Sequence, residues 1–473
     1  MASFVLAMAI GVLPTDPAEV YDSAAVALDS VNPADRPYVR FLSLWPASLE
    51  QQESLSAALS FWTNSLSWNP RLVQPRLTDD GALWLLDLRD YGWSREAWEK
   101  LAATDVYFAV SVKNSNGEIQ RGWLDPKVEA TVRYATGSQK AVLRADYFLA
   151  RTSIDGKKAD GFLREGFYSD FLNLPKTDAE LKTILKAEDK VKVPSSSGYD
   201  IIVFLLYGGA VKESLVALHN RGLQVRKTLI GRDESFQWES LDTDSNAGAA
   251  SVQKNLGGTV KRAGGEFIFS LPNGAHGYFI CNAKGERLSE VPTSIAQHKG
   301  HARETVVLLG RKCNECHGPA SGIIGFDDVI RPQIVDRNTA LAVIAKGKAD
   351  KDVQEEKQRN EAYYLADLKE IREKHRKSYL RVIDDINGMT PEENSKNYVR
   401  WAEAYLYELV DREAAIRETG FGDEFDRYVK LTSPDTGLSP LTTKVPGKVP
   451  RDEFEEDFPR LMQAKVWPWE QKK

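Results

Sequence analysis

Apolar residues in the first part of the chain recur at spacings that predict both helices and strands. Positions 55, 59, 62 and 66 are apolar at intervals of three or four, which predicts one face of an α-helix that ends at Asn69 and Pro70. Residues 81–88 are dominated by Leu and Trp and predict a buried strand, after which Ser94 is the predicted N-cap of a new helix. An α+β domain is expected here.

A second region follows the segment 190–198, whose Pro and Ser residues are typical of a linker. The apolar run 199–206 predicts a buried strand. Further on, the runs 266–271 and 277–281 flank the turn Pro272-Asn273-Gly274, which predicts a β-hairpin.

Beyond residue 332 the pattern changes to long charged helices. Apolar side chains at positions 364, 368, 371, 375, 379, 382 and 386 predict one face of a helix of roughly 25 residues, and His375 lies on that face. A second amphipathic helix, which contains Tyr398, Trp401 and Tyr405, is predicted after the turn around Met389.

These patterns predict an α+β multidomain protein in which N-terminal α+β units precede a mainly α-helical domain. The predicted boundaries are a candidate signal peptide or its remnant (1–22), an N-terminal α+β domain (23–193), a second α+β unit with the hairpin (199–295), a helical domain (296–430) and a C-terminal tail (431–473).

The charge balance restricts the partners. Lys and Arg number 62 against 68 Asp and Glu, a net charge of −6, so we expect no nucleic-acid partner.

The apolar and small residues 2–13 are too few to span a bilayer but resemble a signal-peptide core, and Ala7-Met8-Ala9 has the form of a cleavage site. The alternative is a buried first strand. No integral membrane segment is predicted beyond this candidate signal.

The most specific chemical signal is Cys313-Asn314-Glu315-Cys316-His317, the only Cys-x-x-Cys-His in the chain. This spacing is the attachment pattern of a c-type haem. Two thiols in one helical turn can bind the two vinyl groups of a haem, while the imidazole of His317 reaches the iron as proximal ligand. We therefore predict one covalent haem c held by Cys313, Cys316 and His317, with a helix over residues 304–312 leading into the motif.

Two other uses of the cysteine pair are weaker. A structural zinc site needs four ligands, and the only other cysteine, Cys281, stands alone and is expected to be a buried free thiol. A thioredoxin-like pair would follow a strand in a βαβ unit, and the residues around 306–309 lack the parallel strand that such a unit requires.

The second axial ligand of the iron decides what the haem does. Met389, in a turn between two predicted helices, is the candidate distal ligand, and its alternative is an ordinary loop methionine. His375 is the rival, although a lone histidine on an apolar face is usually a hydrogen-bonded core residue. The other histidines are His298 and His301, which would have to fold back over the haem, and His219 and His276, which are expected in surface turns.

Residues 310–318 resemble the haem-attachment helix of the cytochrome c fold, and residues 388–392 with the helix after them are similar to the methionine loop and closing helix of that family. The resemblance covers about residues 300–412 and implies a cytochrome c-like domain. Residues 86–93 and 269–274, with the haem motif, are also similar to large bacterial exported proteins that end in such a domain. This wider resemblance implies a haem protein outside the cytoplasm.

The predicted function is that of a single-haem c-type cytochrome, which transfers electrons in the periplasm or at the cell surface to a redox partner that the sequence does not identify. One alternative is a haem enzyme of peroxidase type with an open distal site, in which His375 assists acid/base chemistry. Another is a binding or scaffold protein that uses the haem as a sensor. The sequence favours an electron carrier over an enzyme without deciding between them.

Overall fold

A computed structural model describes most of the chain: residues 17–45, 47–108, 111–113, 119–121, 124–156, 165–187, 191–194, 200–203, 207–211, 219, 221–231, 235–251, 261–297, 306–318, 322–323, 331–345, 351–364, 368–432, 436–444 and 447–466. The predicted signal-like run 2–13 and the residues His298 and His301 lie outside the described residues.

The α-helices of the described residues are α1 (Pro17–Asp29), α2 (Leu49–Ser65), α3 (Leu88–Tyr91), α4 (Arg95–Ala103), α5 (Pro126–Thr136), α6 (Ala145–Thr152), α7 (Tyr168–Phe171), α8 (Asp178–Ile184), α9 (Arg311–His317), α10 (Arg331–Ala345), α11 (Lys351–Tyr364), α12 (Leu368–Asn387), α13 (Pro391–Tyr407), α14 (Arg412–Thr419), α15 (Phe425–Thr432) and α16 (Arg451–Val466). Within this part of the chain, no helix is long and apolar enough to span a membrane.

The β-strands of the same residues are β1 (Val39–Ser43), β2 (Arg76–Leu77), β3 (Leu83–Asp87), β4 (Ser111–Lys113), β5 (Ile119–Arg121), β6 (Val142–Arg144), β7 (Asp155–Gly156), β8 (Gly166–Phe167), β9 (Val191–Pro194), β10 (Asp200–Val203), β11 (Tyr207–Val211), β12 (Arg221–Lys227), β13 (Phe236–Leu241), β14 (Gly264–Ser270), β15 (His276–Asn282), β16 (Val410–Asp411) and β17 (Lys448–Val449).

The chain divides into two compact units. Unit 1 comprises residues 1–63, 73–153 and 396–473, and unit 2 comprises residues 64–72 and 154–395. Both units contain helices and sheets, which confirms the prediction of an α+β multidomain protein. The division differs from the predicted boundaries, because the segments that the sequence separates into 199–295 and 296–430 share unit 2 as far as residue 395.

Unit 1 is built on a four-stranded sheet of order β2-β3-β1-β6, in which every residue of β1 is buried. The C-terminal residues join this unit through their aromatic side chains. Tyr398 stacks on Trp62 of α2 with ring centroids 4.6 Å apart, and Trp401 Nε1 donates to Ser54 Oγ over 2.7 Å. Trp401 and Ser54 are 347 positions apart, so no local pattern could predict this contact.

Unit 2 contains a five-stranded antiparallel sheet of order β11-β12-β13-β14-β15. Strands β14 and β15 confirm the predicted hairpin. Side chains of directly paired residues point to the same side of a sheet. The pairs Ser270↔His276, Ile268↔Tyr278 and Trp238↔Ile268 therefore place these five residues on one side, which we call the helical face.

Helix α12 covers part of the helical face. Its buried residues are Leu368, His375, Tyr379, Val382, Ile383 and Ile386, which confirms most of the predicted apolar stripe, although position 364 belongs to α11. Leu368 and Ile371 pack in a cluster with Trp238, Ile268 and Ile323. The core of unit 2 near the haem motif is therefore formed by a sheet and a helix together.

Candidate haem-attachment site

The haem motif lies in the short helix α9. The predicted helix over residues 304–312 is wrong at residues 306–310, which are not helical, and only its last two positions belong to α9, which begins at Arg311. Gly310 precedes it with a φ of 97°, a left-handed conformation that an α-helix cannot continue through and that glycine adopts at low cost. Cys313 and Cys316 lie one turn apart within α9, and His317 is its last residue.

Both thiols of the motif are half-buried and protonated. Burial raises the pKa of the Cys313 thiol, and the carboxylate of Glu266 raises it further. Burial and the adjacent Glu315 carboxylate likewise raise the pKa of Cys316. Reactive dithiols of the thioredoxin type need at least one thiol with a lowered pKa. These shifts therefore favour thiols used for attachment over a redox-active pair.

The imidazole of His317 is oriented for ligation. Its Nδ1 lies 3.3 Å from the carbonyl oxygen of Gly322. A carbonyl oxygen only accepts, so Nδ1 carries the proton and Nε2 presents a lone pair. Burial lowers the pKa of His317, which keeps the ring neutral. Metal-ligating histidines commonly donate their second nitrogen to a backbone carbonyl in this way, so the residues fit the predicted proximal ligand of a haem iron.

The C-terminal end of α9 is attached to the sheet. The carbonyl oxygen of His317 accepts from Tyr278 Oη at 3.1 Å and from His276 Nδ1 at 3.3 Å. The last carbonyls of a helix lack intrahelical partners, and each such bond contributes about 1 kcal/mol. Tyr278 also accepts a hydrogen bond from Asn314 Nδ2 at 3.5 Å. Strand β15 therefore holds the helix that carries the motif.

The two residues before Cys313 are buried and contact the residue before Cys316. Arg311 and Lys312 are buried, and both pair with the carboxylate of Glu315, at 3.3 and 2.8 Å. These contacts follow the i to i+3 and i to i+4 spacing of a helix. The Cys-x-x-Cys-His pattern specifies no residue type at positions 311, 312 and 315, but in this chain the three side chains help to anchor α9.

His276 was expected in a surface turn, and this prediction is wrong. It is the first residue of β15 and is 1% exposed. Its ring stacks on Tyr379 of α12, with centroids 3.6 Å apart and an interplanar angle of 8°. His276 Nε2 and Tyr379 Oη have no hydrogen-bond partner among the described residues. An unpaired buried polar group costs about 1–3 kcal/mol, so both atoms require an explanation.

His276 directly precedes an unbroken buried run, residues 277–281, and shares the side of the strand that Tyr278 and Ile280 occupy, which is the signal that could have identified it. All three are buried on the same side of β15. His276 was predicted to lie in a turn because Asn273-Gly274 is so close to it, but strand β15 already begins at His276, two residues after Gly274.

His375 is a hydrogen-bonded core residue. Its Nδ1 accepts from Trp238 Nε1 at 2.9 Å, and its Nε2 lies 2.9 Å from Ser270 Oγ. An indole N–H can only donate, so the His375 proton is on Nε2 and is donated to the serine hydroxyl. Burial lowers the pKa of His375 to about 4, so the ring is neutral at pH 7. Neither nitrogen is available for iron or for proton transfer.

Met389 lies in the predicted turn between α12 and α13 and is half-buried. Helix α12 meets the motif near Tyr379, because a Cβ on Gly322 would lie 3.6 Å from Tyr379 Cδ1. Asn387 ends α12 eight positions later, which corresponds to about 12 Å of helix at 1.5 Å per residue. No described contact brings Met389 to His317, and its role as distal ligand stays a prediction.

Among the described residues, no three His, Cys, Asp or Glu side chains are grouped closely enough to hold a metal ion. The site is thus defined by α9, by two residues of β15 and by the α12 surface at Tyr379. Comparisons with protein-family models, with curated proteins and with solved structures give no match. The assignment of a function therefore depends on the residues of this chain.

Proposed function

We propose that this protein is a single-haem c-type cytochrome that transfers electrons outside the cytoplasm. The observation that carries the proposal is the bond between His317 Nδ1 and the Gly322 carbonyl, in a helix where Cys313 and Cys316 are one turn apart. The spacing supplies two attachment points, and the carbonyl leaves the correct imidazole nitrogen for the iron.

In this proposal each residue of the site has a separate task. Cys313 and Cys316 hold the haem as thioethers, and His317 is the proximal ligand. Tyr278 and the Gly322 carbonyl fix the helix end and the ring orientation. A bound haem c would supply one-electron redox chemistry. The proposal includes the cytochrome c-like domain that the sequence resemblance implies. In this chain the attachment helix α9 also contacts a β-strand, β15.

The export of the protein and its redox partner belong to the same proposal. In bacteria, haem is attached covalently outside the cytoplasmic membrane, which agrees with the signal-like run at residues 2–13. The peroxidase alternative needs an acid/base group beside an open iron site. His375, its candidate group, has both nitrogens engaged in hydrogen bonds, which favours electron transfer.

Covalent haem can be tested directly by coexpression of the full chain with a bacterial cytochrome c maturation system. We expect the wild-type protein to retain haem on a denaturing gel and to contain one haem per chain by pyridine haemochrome. The double variant Cys313→Ser/Cys316→Ser should lose the stain. Cys281→Ser is the matched control, since Cys281 is a buried free thiol outside the motif.

Two results would contradict the proposal. One is a wild-type chain without covalent haem when a reference cytochrome is matured in the same cells. The other is a double variant that still stains. Reversible one-electron reduction of the holoprotein then tests the transfer function, and peroxide turnover exceeding that of a reference electron-transfer cytochrome would favour the enzyme.

A further inference from the structure

Three charged side chains meet on the helical face of the sheet in unit 2. The strand register places Arg221 of β12, Asp242 directly after β13 and Glu266 of β14 on the side of the sheet that carries Trp238. Arg221 contacts both carboxyl groups. The cluster therefore contains one guanidinium group for two carboxyl groups.

The guanidinium group of Arg221 is shared unequally. Its Nη1 and Nη2 donate to the two carboxylate oxygens of Glu266, at 3.1 and 3.5 Å. Its Nε lies 3.2 Å from Asp242 Oδ1, but neither of these two atoms has a hydrogen-bond partner in the described part of the chain. A forked pair with one carboxylate is the strong geometry for arginine, so Arg221 is committed to Glu266.

Asp242 is thus a buried carboxyl group without a cation of its own. Its side chain is 2% exposed, whereas the side chain of Glu266 is 21% exposed. A buried carboxylate is costly unless it is paired and hydrogen-bonded, and such a group takes up a proton instead. Of the two carboxyl groups in the cluster, Asp242 is therefore the one that binds the proton.

The other charges around Asp242 do not reverse this conclusion. Burial is the main cause that raises the pKa of Asp242, and the Glu266 carboxylate raises it further. Arg221, the Ser240 hydroxyl and Arg262 lower this pKa, and the result is about 6. Arg262 is itself paired with two other carboxylates, so it does not neutralise Asp242.

We propose that Asp242 is a proton-binding site and that its ionisation loosens the sheet where β12, β13 and β14 meet. The neutral carboxyl group leaves Arg221 to Glu266, whereas the ionised group competes for the same guanidinium group inside the sheet. The site does not require the haem. It nevertheless lies beside the attachment helix, because the charge of Glu266 acts on both Cys313 and His317.

The direction of the pH effect follows from the raised pKa of Asp242. An open segment loses the proton near the ordinary pKa of 3.8, and the folded sheet loses it near 6. Between these values only the folded sheet keeps the proton, so its stability falls as the pH rises and becomes constant above about pH 6. Opening of the sheet should become about 50-fold more favourable from pH 4 to pH 7.

Infrared difference spectra and hydrogen exchange of the full chain test this inference. At pH 5 the spectrum of the wild type minus that of Asp242→Asn should contain the C=O stretch of a neutral carboxylic acid, which should be absent at pH 7.5. Between pH 4 and pH 7, the protection of residues 221–227 and 236–242, corrected for intrinsic exchange rates, should fall about 50-fold further in the wild type than in Asp242→Asn. Asp244→Asn is the control, since Asp244 is exposed, and should behave as the wild type.

The remaining outcomes are decisive. A difference spectrum without the neutral carboxyl band at pH 5 would overturn the inference, as would an equal pH dependence of protection in the wild type and Asp242→Asn. If Asp242→Asn does not fold, Glu266→Gln replaces it in the test. Arg221 would then serve Asp242 alone, so the carboxyl band should titrate at a lower pH than in the wild type. An unchanged titration in Glu266→Gln would overturn the inference.

Discussion

Glu418 allows a quantitative test of the fold of unit 1. Its carboxylate is 4% exposed and lies between two guanidinium groups, 2.6 Å from Arg144 Nη1 and 2.8 and 2.6 Å from Arg451 Nη1. Burial alone would raise the pKa of Glu418, but the charges and hydrogen bonds of the two arginines outweigh it. They lower the pKa from 4.5 to about 2.

The contribution of the Glu418 carboxylate to the free energy of unfolding can be worked out in two independent ways. A shift from 4.5 to about 2, at 1.36 kcal/mol per pKa unit, corresponds to about 3 kcal/mol. Removal of one partner from a buried ion pair costs about 3–5 kcal/mol, because the remaining charge stays buried. We therefore expect Glu418→Gln to reduce the free energy of unfolding by about 3–5 kcal/mol at pH 7.

The lowered pKa also determines how the stabilisation by Glu418 changes with pH. Because the folded-state pKa is lowered, the stabilisation by Glu418 is complete above about pH 4.5 and is lost as the pH falls towards 2. The stability difference between wild type and Glu418→Gln should therefore shrink across this interval.

Hydrogen exchange measured by mass spectrometry is the suitable assay, since a global unfolding curve would mix the two units. Peptides that cover residues 142–152 and 412–419 should exchange about two to four orders of magnitude faster in Glu418→Gln. Glu424→Gln is the control, since Glu424 pairs with Arg427 at the surface and should cost less than about 1 kcal/mol. A Glu418→Gln protein that retains its fold and loses less than 1 kcal/mol, about as little as a surface pair, would refute this reasoning.

Two further variants test the contacts of unit 2. Tyr278→Phe removes one donor from the His317 carbonyl, and we expect about 1 kcal/mol less protection of α9 in hydrogen exchange; unchanged protection of α9 would show that His276 alone suffices. Trp238→Phe leaves His375 Nδ1 buried without a donor and should lower the unfolding free energy of this part of unit 2 by about 1–3 kcal/mol, measured by hydrogen exchange of peptides from β13 and α12. Ser270→Ala removes the acceptor of His375 Nε2 and tests that nitrogen in the same way. Wild-type stability in both Trp238→Phe and Ser270→Ala would contradict the assignment of the proton to Nε2.

Much of the local structure could be predicted because its causes are local. Ser94 caps α4 by accepting from Ala97 N at 3.0 Å, as a serine before a helix is expected to do. The stripe of α12 and the hairpin of β14 and β15 follow from periods of 3.6 and 2 residues. The start of the attachment helix was misplaced, because Gly310 interrupts the chain with a conformation that apolar spacing does not reveal.

The division into units could not be predicted in the same way. The sequence predicted a boundary near residue 295, before the haem motif, but α9 and α12 pack against strands that precede it, and residues 396–473 join the N-terminal unit. These pairings depend on contacts between distant segments, such as Tyr398 with Trp62. Local periodicity reports which face of a helix is buried but not which element covers it.

The sequence by itself determined that two thiols and an imidazole lie within one helical turn, because their spacing is fixed by covalent connection and helix geometry. Only the tertiary structure decided which imidazoles retain a free nitrogen. His276 meets the His317 carbonyl across 41 positions of sequence, and His375 meets Trp238 across 137. A ring nitrogen is free or engaged according to its partner in space, and the partners of His276 and His375 are set by how the sheet, α9 and α12 pack together.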